Sequence, residues 1–247
     1  MKRFKNLIIG SSFFSIGFAL EEKNTLIIEE GEILDTSFYL PLRGFDKYGY
    51  TPVTESGKEL EQVLTDRGII SGGLQNVSAF EIGLSRFAEM KHVKVYLGCR
   101  IAEKKANGEG YSITLVHNGG LEEIIAENVI DTRRSGDGEA RLAVIFDSEN
   151  GELDKRMIDQ VFQGSDPKEA FYRGRYVLYA SVTSDNVNLA KCEIYERWKA
   201  LSGYRILYIA PTFYTKSNDP NPLSDEGFDN PIEAFEHGIM TAREVGR

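Results

Sequence analysis

The sequence is short of cysteine, histidine and positive charge, and each shortage excludes a class of protein. Its two cysteines, Cys99 and Cys192, lie far apart in no CxxC and no metal-type spacing. A disulfide-built scaffold is excluded, and the pair reads as reduced core thiols of a cytosolic protein. The three histidines, His92, His117 and His237, are scattered and read as ordinary surface residues, with no metal site. Twenty-nine basic residues face 38 acidic ones, for a net charge of -9, and no basic block occurs. That balance argues against a nucleic-acid binder and against a binder of anionic membranes. No internal repeat or low-complexity stretch is found. What is present is apolar: 41% of the 247 residues are hydrophobic and 11% aromatic. Such a chain is not disordered, and it builds one large domain or two intergrown ones without staples.

The first 20 residues, MKRFKNLIIGSSFFSIGFAL, place three basic residues before an apolar run, as a signal peptide does. Residues 21–30 favour another parse. Leu26, Ile27 and Ile28 form a second apolar run that ends in Glu29 and Glu30. The stretch then reads as a strand (4–9), a tight turn (10–12), a helix (13–22) and a second strand (25–30). Both strands are continuous apolar runs, the pattern of a parallel sheet covered on both faces. Gly10, Ser12 and Ser15 stand at the three positions of G-x-G-x-x-G, with Ala19 as a fourth small residue. In that motif the first position makes the sharp exit from the strand. The second lets a pyrophosphate approach the backbone, and the third lets helix and strand pack closely. A serine hydroxyl can also donate to a phosphate beside the free amides of a helix N-terminus. Glu29 or Glu30 falls about 20 residues past Gly10, where an acid holds the ribose hydroxyls.

Residues 31–73 show little periodicity and crowd Tyr39, Pro41, Arg43, Phe45, Tyr48 and Tyr50 together. Long irregular segments of this kind carry lids or binding loops, and 58–65 reads as a short helix within it. Residues 78–91 predict a helix with Phe80, Ile82, Leu84, Phe87, Ala88 and Met90 as its apolar stripe. Ser78 and Glu81 form its capping box. A strand is expected from Val93 through Ile101. Strands at 111–118 and 121–126 flank Asn118-Gly119-Gly120, a hairpin signal, and a further short strand comes at 128–132. The pattern then restarts: strand 142–146, helix 154–162, a long strand 170–184, a helix carrying Leu189, Ala190, Ile194, Trp198 and Leu201, and strand 204–210. Arg173 and Arg175 flank Gly174 and share one face by alternation. After a loop rich in proline, asparagine and aspartate, a last helix opens at Asn230-Pro231, an N-cap followed by proline at the first helical position.

The order of these segments resembles flavoproteins of the glutathione-reductase-like fold. Three anchors carry the resemblance: LIIGSSFFSIGFAL with LIIEE, RIAEKKANGEGYSITLVHNGGLEEIIAENVIDTRRSGDGE, and DNPIEAFEHGIMTAREV. It implies an α/β fold: a Rossmann-like FAD-binding parallel sheet with a three-stranded β insertion, plus a smaller α+β substrate domain. Residues 1–45, 76–139 and 205–247 would form the FAD domain, and 46–75 with 140–204 the cap. By the same resemblance FAD is the cofactor. Backbone at Gly10, Ser11, Ser12, Phe13 and Ser15 faces its pyrophosphate, and Glu29 or Glu30 its ribose. Ile101 lies against the adenine. Thr132 approaches at the strand end, and Asp229, Asn230 and Pro231 lie near the ribityl chain or the flavin. Arg43, Tyr48, Tyr50 and Arg173 are the polar candidates for binding a small-molecule substrate. The chain departs from the pattern in two of the three fingerprint glycines and in Thr132-Arg133-Arg134 after the strand. With no CxxC, disulfide-reductase chemistry is excluded. Two other readings stand beside this one. One is a flavin-fold partner protein without catalysis, and the other an S-adenosylmethionine-dependent methyltransferase. The oligomeric state is left open.

Overall fold

A computed structural model describes residues 1–34, 37–43, 49–72, 74–133, 139–169, 174–216, 220–225, 227–228 and 230–245. The chain opens with strand β1 (Lys2–Ile9), helix α1 (Phe13–Glu21) and strand β2 (Thr25–Ile28). The two strands pair in parallel with Leu7 opposite Leu26 and Ile8 opposite Ile27. Every residue of α1 from Phe13 to Ala19 is buried. A helix apolar on all sides belongs in a core. Its four large side chains, Phe13, Phe14, Ile16 and Phe18, are fully buried and stabilise by about 1.5–3 kcal/mol each.

Helix α2 (Glu55–Asp66) comes next, longer at both ends than the predicted 58–65, with Thr54 as its N-cap. Two short strands, β3 (Ile70–Ser71) and β4 (Leu74–Gln75), pair only with each other. Helix α3 (Phe80–Met90) buries Phe80, Leu84, Phe87 and Ala88, as expected, but Ile82 is 55% and Met90 50% exposed. At 3.6 residues per turn Ile82 falls on the opposite side from Phe80, whereas Met90 lies on the flank of the buried face and is the last residue of the helix. The expected capping box is not formed. Ser78 sits inside a 3-10 turn (Val77–Ala79), and Glu81 instead accepts from the Ser85 hydroxyl at 2.8 Å.

The strand expected from Val93 through Ile101 is broken in two, β5 (Val95–Tyr96) and β6 (Arg100–Asn107), because Gly98 turns the chain at φ +59. Strands β7 (Gly110–His117) and β8 (Gly120–Asp131) form the predicted hairpin. The two strands expected at 121–126 and 128–132 are one strand, β8. No glycine or proline interrupts 121–131, and β1 offers partners across the expected break, from Lys2 opposite Ile124 to Ile9 opposite Asp131. One sheet therefore runs β5-β2-β1-β8-β7-β6, parallel on one side of β8 and antiparallel on the other.

A second, antiparallel sheet is built on β9 (Glu139–Ser148), which is crossed by α4 (Lys155–Val161) before the chain returns as β10 (Lys168–Glu169) and β11 (Arg175–Ser181). Of the long strand predicted over 170–184, residues 170–173 lie outside the described residues, Gly174 holds φ +78, and the strand ends at Ser181. Helix α5 (Val187–Trp198) buries Ala190, Ile194 and Trp198 but leaves Leu189 62% exposed. Strand β12 (Tyr204–Ile209) pairs with β9, so the boundary expected at 205 falls inside a strand of this second sheet. Strand β13 (Tyr214–Lys216) also pairs with β9, and helix α6 (Pro231–Val245) closes the chain against α1. Among the described residues, no helix is long and apolar enough to cross a membrane.

The two thiols part company. Cys99 is buried, and burial pushes its thiol up to about 11, whereas Cys192 is exposed on α5 and is not a core residue. A thiol reacts as its thiolate. Native protein titrated with Ellman's reagent at pH 8 should therefore yield one rapid equivalent. Cys192→Ser should abolish it, and Cys99 should react only on unfolding. Two rapid equivalents would contradict this burial.

Candidate functional site

The end of β1 is where the sequence signal converges. Gly10 holds φ +100, a conformation that favours glycine, and a Cβ there would stand 2.8 Å from the Thr132 hydroxyl. Ser12 caps α1, accepting from the Ser15 amide at 3.1 Å. The Ser15 hydroxyl donates to the Gly10 carbonyl at 2.7 Å and lies 3.2 Å from the Thr132 hydroxyl. Thr132 in turn bonds the carbonyls of Ile9 and Gly10. Serine at the second and third fingerprint positions thus knits the turn to the neighbouring strand end, which glycine could not do.

Of the two acids after β2, only Glu29 enters the turn. Its buried carboxylate accepts from the amide and hydroxyl of Ser11, each at 2.9 Å, and from the Gly31 amide at 3.0 Å. Glu30 points outward, 3.5 Å from the Arg133 guanidinium. Arg133 itself is held in a fork by Asp131, at 2.9 and 2.7 Å, which lowers the Asp131 carboxyl below its usual range. The chain at Gly98 and Cys99 bonds back to the carbonyls of Gly31 and Glu29, just past the end of β2, and Ile101 follows on β6 opposite Leu115. At the far terminus, the Asn230 side chain caps α6 by accepting from Ile232 at 2.9 Å and Glu233 at 3.3 Å, and Pro231 begins the helix as expected.

The residue that sequence reasoning missed is Asp225. Its carboxylate sits on the N-terminus of α1, accepting from the Phe14 amide at 2.8 Å, the Phe13 amide at 3.2 Å and the Ser37 hydroxyl at 2.6 Å. It is 1% exposed. Burial pushes its carboxyl up, against the pull of Ser37, the two amides and the charge of Arg43. One acid in a loop that also holds Asp219, Glu226 and Asp229 has no spacing to mark it. Only the tertiary approach of residues 225 and 13 reveals it.

Of the four substrate candidates, Arg43 and Tyr50 are described, and they bond different segments. Buried Arg43 donates to the carbonyls of Asp225, at 2.8 Å, and Phe228, and stacks 4.7 Å from the Phe38 ring. Tyr50 donates to Glu236 of α6 at 2.6 Å. Tyr48, Arg173 and Asp229 lie outside the described residues. A cavity of about 320 Å³ opens beside the Arg43 loop, lined by Tyr39, Leu42, Ile145, Arg175, Leu207 and Tyr208 among others. A larger hollow of about 780 Å³ lies at Ser148 and Tyr204, the end of β9 remote from Thr132.

No protein-family model and no curated protein match the sequence. Solved structures do match. L-proline dehydrogenase from P. horikoshii superposes with a TM-score of 0.60 at 11% identity, over 99% of this chain and 93% of that one. A flavoprotein/dehydrogenase from Cytophaga hutchinsonii gives 0.53 at 12%, over 99% and 79%. Aklavinone-11 hydroxylase, in a ternary complex with FAD and aklavinone, gives 0.50 at 13%, over 87% and 54%. The chain shares the fold of these proteins.

Whether the residues fit a dinucleotide is tested by the donors at the turn. The Phe13 and Phe14 amides already hold the two carboxylate oxygens of Asp225, so this helix end accepts an anion.

Proposed function

We propose that this flavoprotein fold binds FAD and serves as an oxidoreductase for a small molecule. The observation that carries the reading is the turn at Gly10. It joins a left-handed glycine, a helix N-terminus with two amides on an anion, and a buried acid at the end of β2. The likeness to a dehydrogenase and a hydroxylase of the same fold supports it.

On this reading the amides of Phe13 and Phe14 hold a phosphate oxygen, and Glu29 is the ribose acid. Glu29 is chosen over Glu30 because it is the one drawn into the turn. The flavin, when bound, supplies the hydride or electron transfer. The chain's own part is to bind, orient and exclude water. The 320 Å³ cavity is small for a ligand site and would take a compact molecule. Its rings, Tyr39 and Tyr208, offer apolar faces, and burial pushes the Tyr208 phenol up, so it stays protonated and able to donate. No nucleic acid or membrane partner belongs to this reading.

Titration with FAD tests it. Added FAD should bind one per chain, with a shift of the flavin bands, and the bound flavin should bleach on anaerobic photoreduction. Thermal stability should rise with free FAD by RT ln(1 + [L]/Kd). Protein that takes up no FAD at any concentration would reject the proposal, and flavin that binds but never reduces would leave a non-catalytic partner.

A further inference from the structure

We propose that Asp225 is an internal competitor for the phosphate of the dinucleotide: its carboxylate holds the α1 amides and must leave before phosphate oxygens take them. The inference rests on the proposed FAD site and concerns this chain's own residues there.

Amide donors around the turn are consumed from within. Ser11 is bonded by Glu29, Phe13 and Phe14 by Asp225, and Ser15 by Ser12. A phosphate and a carboxylate seek the same thing at a helix N-terminus, namely backbone N–H groups and the positive end of the dipole. Both are acceptors of charge-assisted hydrogen bonds, and two anions cannot share one pair of amides. Asp225 is not a loosely placed surface acid. Its carboxylate has a third donor in Ser37, and its carbonyl is bonded by the buried Arg43 guanidinium, which also bonds Phe228. The residues around it, Ser11, Ser12, Phe13, Phe14 and Ser224, are themselves buried. Displacing Asp225 therefore exchanges a built set of bonds for another, and the affinity for a phosphate ligand is lowered by that exchange. Ser37 and Arg43 belong to the stretch whose Tyr39 and Leu42 line the 320 Å³ cavity, so the departure of Asp225 moves its neighbours on the cavity wall.

The test compares the full-length wild type with Asp225→Ala, Asp225→Asn and Ser37→Ala, using FAD, ADP, inorganic pyrophosphate and adenosine as probes in equilibrium binding. Asp225→Ala should bind FAD, ADP and pyrophosphate at least tenfold more tightly than wild type. Adenosine, which has no phosphate, should bind unchanged. Asp225→Asn removes the charge at constant shape and should move affinity the same way. Ser37→Ala, which loosens the carboxylate without vacating its place, should do so by a smaller factor and guards against a misfolded Asp225 variant. Phosphate ligands that bind wild type but bind the Asp225 variants equally or more weakly would overturn the inference while leaving the FAD reading intact. Equal tightening for adenosine would also overturn it, since the effect would not lie at the phosphate. If neither wild type nor variants bind FAD or ADP, both proposals fall.

Discussion

Replacing Gly17 with alanine should lower the thermal midpoint by roughly 4–8 °C, the opposite of what the same change does on an exposed helix. In an exposed helix interior, alanine is about 1 kcal/mol better than glycine. Here a Cβ on Gly17 would stand 2.0 Å from the backbone carbonyl oxygen of Phe235 in α6. No side-chain rotation relieves contact with a backbone atom, so the two helices must separate. Overpacking of a rigid interface costs about 3 kcal/mol, which exceeds the propensity gain. The same contact is made from the other side, where a Cβ on Gly238 would stand 2.1 Å from the Phe14 carbonyl oxygen. Gly238→Ala should therefore behave alike. The double variant should lose less than the two losses added, because the first substitution already opens the space the second needs. Calorimetry or thermal denaturation followed by circular dichroism checks this. A Gly17→Ala protein as stable as wild type would show that α1 and α6 do not lie in backbone contact.

The second large effect is expected at Glu236, a charged residue only 2% exposed on α6. Its carboxylate accepts from the Tyr50 hydroxyl at 2.6 Å, the Thr54 hydroxyl and amide at 2.5 Å each, and the Val53 amide at 3.0 Å. These bonds fasten residues 50–54 and the start of α2 onto the closing helix. Gly57 belongs to the same device, since a Cβ there would meet the Glu236 carboxylate at 2.2 Å. Burial by itself would raise the Glu236 carboxyl, but the donors from Thr54, Tyr50 and Val53 override it and hold it below its usual value. Hydrogen bonds to a charged acceptor contribute about 1.5–3 kcal/mol each, and losing the set strands buried donors. Glu236→Ala should cost about 3 kcal/mol or more, and Tyr50→Phe about 1 kcal/mol.

The pH dependence comes from the direction of that shift. A carboxyl lowered by folding contributes its full stability above the ordinary carboxylate value, and loses it as pH falls through the folded value. Wild type should accordingly lose stability from about pH 5 downward. Glu236→Gln, which has no proton to gain, should lose less over the same interval while starting lower at neutral pH. Parallel curves for the two proteins would show that Glu236 does not carry this linkage.

Much of the nucleotide unit was legible along the chain, for a reason of locality. The apolar runs of β1 and β2, the tight turn at Gly10, the small residue at 19 and the hairpin at Gly119-Gly120 are all set by neighbours within a few residues. Backbone dihedrals and side-chain alternation respond to that range. The pattern was less informative wherever two partners compete for one segment. Residues 121–132 looked like two strands because the hairpin and the parallel pairing are separate signals, and only β1 lying alongside makes them one strand. Ile82, Met90 and Leu189 show the same weakness: an apolar residue is no proof of a buried one, and which face is covered depends on what packs there.

By itself, then, the sequence determined an α/β chain that opens with a βαβ unit, with a serine-substituted turn, an acid after the second strand and a capped closing helix. Those features need only short-range sterics and the burial of contiguous apolar residues. Tertiary structure alone decided which acid enters the turn, Glu29 rather than Glu30, and which one covers the α1 amides, Asp225. Residues 13 and 225 are brought together only when α6 packs against α1, glycine to backbone, and draws the preceding loop over the helix N-terminus. A hydrogen bond depends on where atoms stand in space, and no spacing along the chain encodes a contact across 212 positions.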